Sequence, residues 1–154
     1  NAWRGLTLAW PRCVLKRLDK RMDTAQIVLI EDNPADVMLV ELALQENGID
    51  YELTRFENGE DAVEALCAPA AVNPPAAILL DLNTPGSDGI EVLGRLTGSP
   101  HLKGVLIAIL SSSQARSDKQ RTILMGAVRY IEKPSQLKEF LETVGRAVKE
   151  MLTH

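Results

Sequence analysis

The chain has 154 residues, of which 45% are hydrophobic, 25% charged and 4% aromatic; these values exclude a disordered or collagen-like chain and suit one folded domain. The net charge of -4 is unevenly distributed: residues 1–21 carry six basic side chains and one acid, a net of +5, whereas residues 22–154 carry 11 basic and 20 acidic side chains, a net of -9. No apolar run approaches the roughly 20 residues of a membrane-spanning helix.

The basic segment at the start of the chain differs from everything after it. Pro11 interrupts any membrane-surface helix there, and the segment lacks the apolar core and cleavage site of a secretory signal. We interpret residues 1–22 as a basic N-terminal extension, either non-native or accessory, and residues 23–154 as the folded domain. Cys13 and Cys67 have no metal-ligand spacing and offer no disulfide framework, which predicts a reducing, cytoplasmic location.

From residue 26, short apolar runs alternate with segments of helical periodicity. The first helix begins at Asn33-Pro34 and ends at Asn47-Gly48, residue types typical of helix caps. Strands are predicted at residues 26–30, 51–55, 76–80, 105–110 and 128–131. The later helices are predicted at residues 59–68, around residues 90–96, before Met125-Gly126, and through residues 137–152.

Five strand–helix units joined mostly by short loops predict a parallel sheet covered by helices on both faces. The expected architecture is the α/β, flavodoxin-like doubly wound sheet of five strands in the order 2-1-3-4-5. In such folds the functional site lies beyond the carboxyl ends of the strands. The polar residues at those ends are therefore the candidates for function.

Charged and hydroxyl side chains follow four of the five predicted strands. Glu31-Asp32 follow the first strand, Asp81 the third, Ser111 the fourth and Lys133-Pro134 the fifth. Three carboxylates at one edge repel each other unless a cation neutralises them, and their oxygen atoms favour Mg²⁺. A lysine and a serine at the same edge would stabilise a transferring phosphoryl group. Asp81, at the centre, is the candidate nucleophile, because an aspartyl carboxylate can form an acyl phosphate.

These residues together resemble the receiver domain of bacterial two-component response regulators. The resemblance rests on Glu31-Asp32, the segment DLNTPGSDG at residues 81–89, Ser111, Tyr130 and Lys133-Pro134. Ser111 follows Asp81 by 30 residues and precedes Lys133 by 22, as in that family. The segments EDNPAD, LLDLN and SSS further resemble the single-domain response regulators that partner phytochrome-type histidine kinases.

The resemblance implies a phosphorylation switch. Asp81 would accept the phosphoryl group of a kinase phosphohistidine, Lys133 would pair with a phosphoryl oxygen, and Ser111 would bind another and move, letting Tyr130 swing inward. Mg²⁺ would be bound by Asp81 and Asp32, by Glu31 through water and by the Asn83 carbonyl. The Lys133–Pro134 bond would be cis.

The same resemblance sets expectations about partners. We expect a sensor histidine kinase, with the phytochrome type as the candidate class, together with an unidentified downstream protein and a homodimer. The acidic domain argues against a nucleic-acid surface, and no membrane span is expected. The protein would be a phosphoacceptor, which supports its own phosphorylation and slow dephosphorylation, rather than a conventional enzyme.

Three alternatives remain open from the sequence. A phosphatase with an aspartyl nucleophile typically has a second aspartate two residues later, where this chain has Asn83. A flavin or nucleotide module would be expected to show a glycine-rich phosphate loop, and neither common form occurs. A receiver could also act only as a structural interaction module. Thr84 departs from the family pattern, since a larger apolar residue is common there.

Overall fold

The computed structural model describes residues 24–68, 73–84, 86 and 88–153. The predicted extension at residues 1–22 lies outside the described residues. The strands are β1 (Ala25–Ile30), β2 (Tyr51–Phe56), β3 (Ala77–Asp81), β4 (Leu106–Ser111) and β5 (Arg129–Glu132). The helices are α1 (Pro34–Glu46), α2 (Gly59–Leu66), α3 (Gly89–Thr97), α4 (Arg116–Leu124) and α5 (Leu137–Leu152), with a 3₁₀ turn at Pro100–Leu102.

All five strands are parallel and lie in the order β2-β1-β3-β4-β5. The predicted fold class and strand order are confirmed. Each strand boundary lies within one residue of its predicted position, whereas α2 ends at Leu66 rather than at residue 68. No helix in the described part of the chain has the length and apolar character needed to cross a bilayer.

The alternation of side chains along the strands divides the interior into two cores. On one face of the sheet, residues such as Leu29 and Leu79 pack with α1 and α5. On the other face, Ile30 and Leu80 pack with α2 and α3. All five residues of β3 are buried, which is expected of a central parallel strand. This buried strand delivers Asp81 to the carboxyl edge of the sheet.

The first helix, α1, is capped by residues that the sequence identifies. The Asn33 side chain accepts a hydrogen bond from the Ala35 amide at 3.0 Å, and Pro34 occupies the first turn of α1. At the end of α1, Gly48 has a φ of 67°, a left-handed conformation that favours glycine. The chain can therefore turn there directly into β2.

Candidate functional site

The acidic cluster forms because two neighbouring strands end side by side. Ile30 of β1 pairs with Leu80 of β3, so the next residues, Glu31 and Asp81, meet at the carboxyl edge of the sheet. One carboxylate oxygen from each of Glu31, Asp32 and Asp81 lies within 4.8 Å of the others. Glu31 and Asp81 are 1% and 5% exposed. The structure thus brings together the three carboxylates that the sequence predicts.

Main-chain amides hold two of these carboxylates in place. Glu31 Oε1 accepts a hydrogen bond from the amide of Asn33 at 3.2 Å, and Asp81 Oδ1 accepts one from the amide of Asn83 at 2.9 Å. Each bond joins a carboxylate to the amide two residues later, and for Asp81 this is the local turn that aspartate side chains favour. The other oxygen of each carboxylate remains directed towards the site.

Lys133 supplies the positive charge at this edge. Its Nζ donates hydrogen bonds to Glu31 Oε2 at 2.8 Å, to Asp36 Oδ2 at 3.0 Å and to Asp81 Oδ2 at 2.9 Å. An ammonium group has three donors, so all three are used. The Lys133 amide also donates to the carbonyl oxygen of Ser111 at 2.8 Å, which extends the β4–β5 pairing to the lysine.

The predicted cis bond between Lys133 and Pro134 is wrong. The structure has no cis peptide bond among the residues it describes. Trans is the lower-energy isomer of an X–Pro bond by about 0.5–1 kcal/mol. Lys133 reaches its three carboxylates with the trans bond, so its contacts do not require the costlier isomer.

Ser111 and Tyr130 meet at the loop that follows β4. The Ser111 hydroxyl accepts a hydrogen bond from the amide of Ser113 at 3.1 Å, and the Tyr130 hydroxyl donates to the Ser113 carbonyl oxygen at 2.8 Å. Ser113 also donates a hydrogen bond from its hydroxyl to Asp118. One short loop therefore contacts both predicted switch residues. Their roles as switch residues stay predictions.

Two residues of the site escape sequence reasoning. Asp36, in the first turn of α1, contacts Lys133, which lies 97 residues later in the chain. Arg55, near the end of β2, donates from Nε to the Glu31 carbonyl oxygen at 3.1 Å and from Nη2 to that of Asp32 at 2.8 Å. The only advance signal for Asp36 is its place within EDNPAD, and Arg55 carries none.

The buried charges alter one another's protonation. Burial, followed by the hydrogen bond with Asp81, raises the pKa of Glu31 from 4.5 to about 7. Burial alone would raise the pKa of Asp81, but hydrogen bonds with Glu31 and Lys133 outweigh it, so that the pKa of Asp81 is lowered. The carboxylates likewise outweigh burial at Lys133 and raise its pKa. Asp81 is therefore ionised at neutral pH, the form that a nucleophile needs.

Comparison with protein families identifies the family to which a chain with this acidic cluster and lysine belongs. The family model described as "Response regulator receiver domain" matches residues 27–145, which include both the acidic pair and Lys133. The chain belongs to the response regulator receiver family. The predicted resemblance is confirmed.

The similar proteins include phytochrome response regulators. This receiver domain is 33% identical over 121 residues to response regulator Rcp1 of Synechocystis sp., covering 77% of this chain and 82% of Rcp1. It resembles the crystal structure of the phosphorylated cyanobacterial phytochrome response regulator RcpA, with a TM-score of 0.76, 30% identity, and coverage of 84% of this chain and 95% of RcpA. The Mn²⁺-bound form of Rcp1 gives a TM-score of 0.74, 31% identity, and coverage of 83% and 94%.

The donor set of this receiver domain fits a divalent metal ion. Three carboxylates supply hard oxygen ligands close enough to share one cation. Two of the three are buried, where uncompensated negative charge is costly. Lys133 neutralises only part of that charge. Glu31, Asp32 and Asp81 are thus the side chains that would hold the ion.

Proposed function

We propose that this receiver domain accepts a phosphoryl group on Asp81 from the phosphohistidine of a sensor histidine kinase, in a reaction that requires Mg²⁺. The observation that carries the proposal is the position of Asp81 Oδ2, 2.9 Å from Lys133 Nζ and within the acidic cluster. Asp81 is the last residue of the buried central strand, and its lowered pKa keeps it ionised.

In the proposed reaction, an Asp81 carboxylate oxygen forms a bond to phosphorus. The phosphorus–nitrogen bond of the phosphohistidine breaks, and the imidazole nitrogen leaves with the electron pair. Lys133 pairs with a phosphoryl oxygen and keeps its proton, because its raised pKa holds it as ammonium. Bound Mg²⁺ would supply positive charge to the phosphoryl oxygens. The protein is consumed stoichiometrically as an acceptor, so we class it as a switch rather than a conventional enzyme.

The response of the fold would start at the loop after β4. Ser111 would turn its hydroxyl from the Ser113 amide to a phosphoryl oxygen. The loop would then move with Ser113, whose carbonyl oxygen binds Tyr130. Such a rearrangement would bias an equilibrium between two states. The signal would pass to a downstream protein or to a second copy of the chain.

A phytochrome-type kinase is the partner that we propose. Support comes from the similarity to Rcp1 and to RcpA, a cyanobacterial phytochrome response regulator. Radiolabel transfer from candidate histidine kinases tests the choice, with transfer from a phytochrome-type kinase expected to be faster than from unrelated kinases. Equal rates from all kinases would contradict it. Light-scattering mass before and after phosphorylation tests the expected dimer.

The phosphoacceptor itself is tested with a small phosphodonor such as phosphoramidate and Mg²⁺. We expect the intact mass to rise by one phosphoryl group, and Asp81→Asn to abolish the gain. Asp88→Asn is the matched control, because Asp88 follows Asp81 by only seven residues and caps α3 through its side chain, and asparagine caps equally well. Equal labelling of wild type and Asp81→Asn would refute the proposal. Sustained turnover of a phosphomonoester through Asp81 would favour a phosphatase instead.

A further inference from the structure

Lys133 has one carboxylate partner that lies outside the acidic metal cluster. Its Nζ contacts Glu31, Asp36 and Asp81 at 2.8, 3.0 and 2.9 Å. Glu31 and Asp81 belong to the cluster that could hold a metal ion, whereas Asp36 does not. Metal binding and phosphorylation would therefore affect the contacts of Lys133 with Glu31 and Asp81 directly, but not its contact with Asp36.

Glu31 and Asp81, the two cluster carboxylates that contact Lys133, already accept a hydrogen bond on each oxygen atom. Glu31 and Asp81 each accept a main-chain amide on one oxygen and Lys133 on the other. A carboxylate oxygen can accept more than one partner, but a cation bound to Glu31 Oε2 or Asp81 Oδ2 would share that atom with Lys133 and repel its ammonium group. Phosphorylation then converts the Asp81 carboxylate into an acyl phosphate, in which its own negative charge is lost. Of the three carboxylates, only Asp36 belongs neither to the metal cluster nor to the acyl phosphate.

The helix dipole explains why an acidic residue is favoured at position 36, but it does not explain why the side chain contacts Lys133. An acid in the first turn of a helix is favoured by the helix dipole, and Asp36 occupies that turn of α1. The dipole does not require contact with a cation, however, and Asn33 already caps the helix. The Asp36 side chain is only 25% exposed, and the Lys133 side chain 12%. A charge-assisted hydrogen bond with this little solvent is stronger than an exposed pair.

We propose that Asp36 is a positioning residue, which keeps the Lys133 ammonium at the site when a metal ion and the phosphoryl group engage Glu31 and Asp81. The inference rests on the proposed function, because it concerns phosphoryl transfer to Asp81. It predicts that Asp36 affects the transfer rate without contacting the metal or the phosphoryl group.

The first test compares wild type, Asp36→Asn and Glu91→Gln in the full chain. Glu91 is a matched control, because it is an acid in the first turn of α3 and is not among the carboxylates that Lys133 contacts. With phosphoramidate and saturating Mg²⁺, we expect Asp36→Asn to slow phosphorylation about three- to tenfold, since asparagine keeps only a weaker, neutral acceptor. Glu91→Gln should match wild type. The Kd for Mn²⁺ should stay within about twofold for all three proteins.

The second test observes the lysine without any phosphoryl transfer. Nitrogen-15 NMR detects lysine ammonium groups whose protons exchange slowly because they are held in hydrogen bonds. The signal of Lys133 is assigned by its loss in Lys133→Arg. In Mg²⁺-saturated protein, we expect wild type to retain this signal and Asp36→Asn to lose it.

Each outcome decides for or against the inference. A rate for Asp36→Asn that equals or exceeds that of wild type would overturn it, as would an equal loss in Glu91→Gln. A Kd for Mn²⁺ that rises as much as the rate falls would place Asp36 in metal binding instead. Retention of the Lys133 signal in Mg²⁺-bound Asp36→Asn would also overturn it. If wild type takes up no phosphoryl group, the proposed function fails, and the NMR result still decides whether Asp36 holds the lysine.

Discussion

Arg55 binds Glu31 through its main-chain carbonyl oxygen. The guanidinium Nε donates to the Glu31 carbonyl oxygen at 3.1 Å, and Nη2 donates to the next carbonyl, that of Asp32, at 2.8 Å. These bonds orient the two peptide groups from which the acidic side chains project. The positive charge of Arg55 works against a bound cation, so any benefit to metal binding must come from this geometry.

Arg55→Lys separates geometry from charge, because lysine keeps the charge but lacks the planar fork of donors. We expect the Kd of the protein for Mn²⁺ to rise about tenfold, equivalent to about 1.4 kcal/mol, as measured by titration calorimetry. Arg95→Lys is the control, since Arg95 forms an exposed pair with Glu60 and should leave the Kd unchanged. A Kd for Arg55→Lys within twofold of wild type would show that the guanidinium group of Arg55 does not order Glu31 and Asp32.

Sequence reasoning succeeds here wherever the signal is local or periodic. Apolar runs and cap residues such as Asn33 locate the elements, and the parallel sheet then brings Glu31 and Asp81 to one edge. The sequence alone does not assign Asp36 and Arg55 to the site, because their contacts join residues distant in sequence. A first-turn acid also has a sufficient local explanation in the helix dipole. The cis prediction for Pro134 rests on the family resemblance and not on any local signal.

Replacing Gly145 of α5, even by alanine, is expected to destabilise the folded protein. A Cβ at this position would collide with the side chain of Asn47 and would lie 2.7 Å from the Ala43 carbonyl oxygen. Asn47 donates from Nδ2 to the carbonyl oxygens of Ala43 and Leu141, and so links α1 to α5. We expect Gly145→Ala to lower the free energy of unfolding by about 2 kcal/mol in urea titrations.

The control for this prediction is Gly94→Ala in α3. Among the residues that the structure describes, its Cβ would meet only the Met125 side chain, at 3.4 Å, so the higher helix propensity of alanine should raise the free energy of unfolding by up to about 1 kcal/mol. The two substitutions should therefore have opposite signs. Equal effects would show that α1 and α5 can separate to accommodate the methyl group.

Thr84 buries a hydroxyl group at a cost to stability. It is 3% exposed, and its Oγ1 has no hydrogen-bond partner within the described part of the chain. Valine has the same shape without the polar atom, so Thr84→Val should raise the free energy of unfolding by about 1 kcal/mol. Thr122→Val is the contrast, because the Thr122 hydroxyl donates to the Asp118 carbonyl oxygen at 2.9 Å, and this change should be destabilising. A loss of stability in Thr84→Val would indicate that the hydroxyl has a partner after all.

The raised pKa of Glu31 predicts that the metal-free protein loses stability as the pH rises. Because burial raises this pKa from 4.5 to about 7, the folded protein holds a proton there that the unfolded chain has released. The contribution of Glu31 is therefore complete below pH 4.5 and is lost as the pH approaches and passes 7. The lowered pKa of Asp81 acts below its ordinary value of 3.8 and that of Lys133 above 10.5, so neither alters this window.

Urea unfolding in a chelator, from about pH 5 to about pH 7.5, measures the effect. We expect the free energy of unfolding of wild type to fall more steeply over this range than that of Glu31→Gln, which cannot titrate. Glu57→Gln, an exposed substitution, should behave like wild type. The affinity of wild type for Mn²⁺ should rise over the same range, since the ion binds the carboxylate and displaces the proton. Parallel stability curves for wild type and Glu31→Gln would mean that Glu31 is already ionised at pH 5 and that Lys133 alone compensates both buried acids.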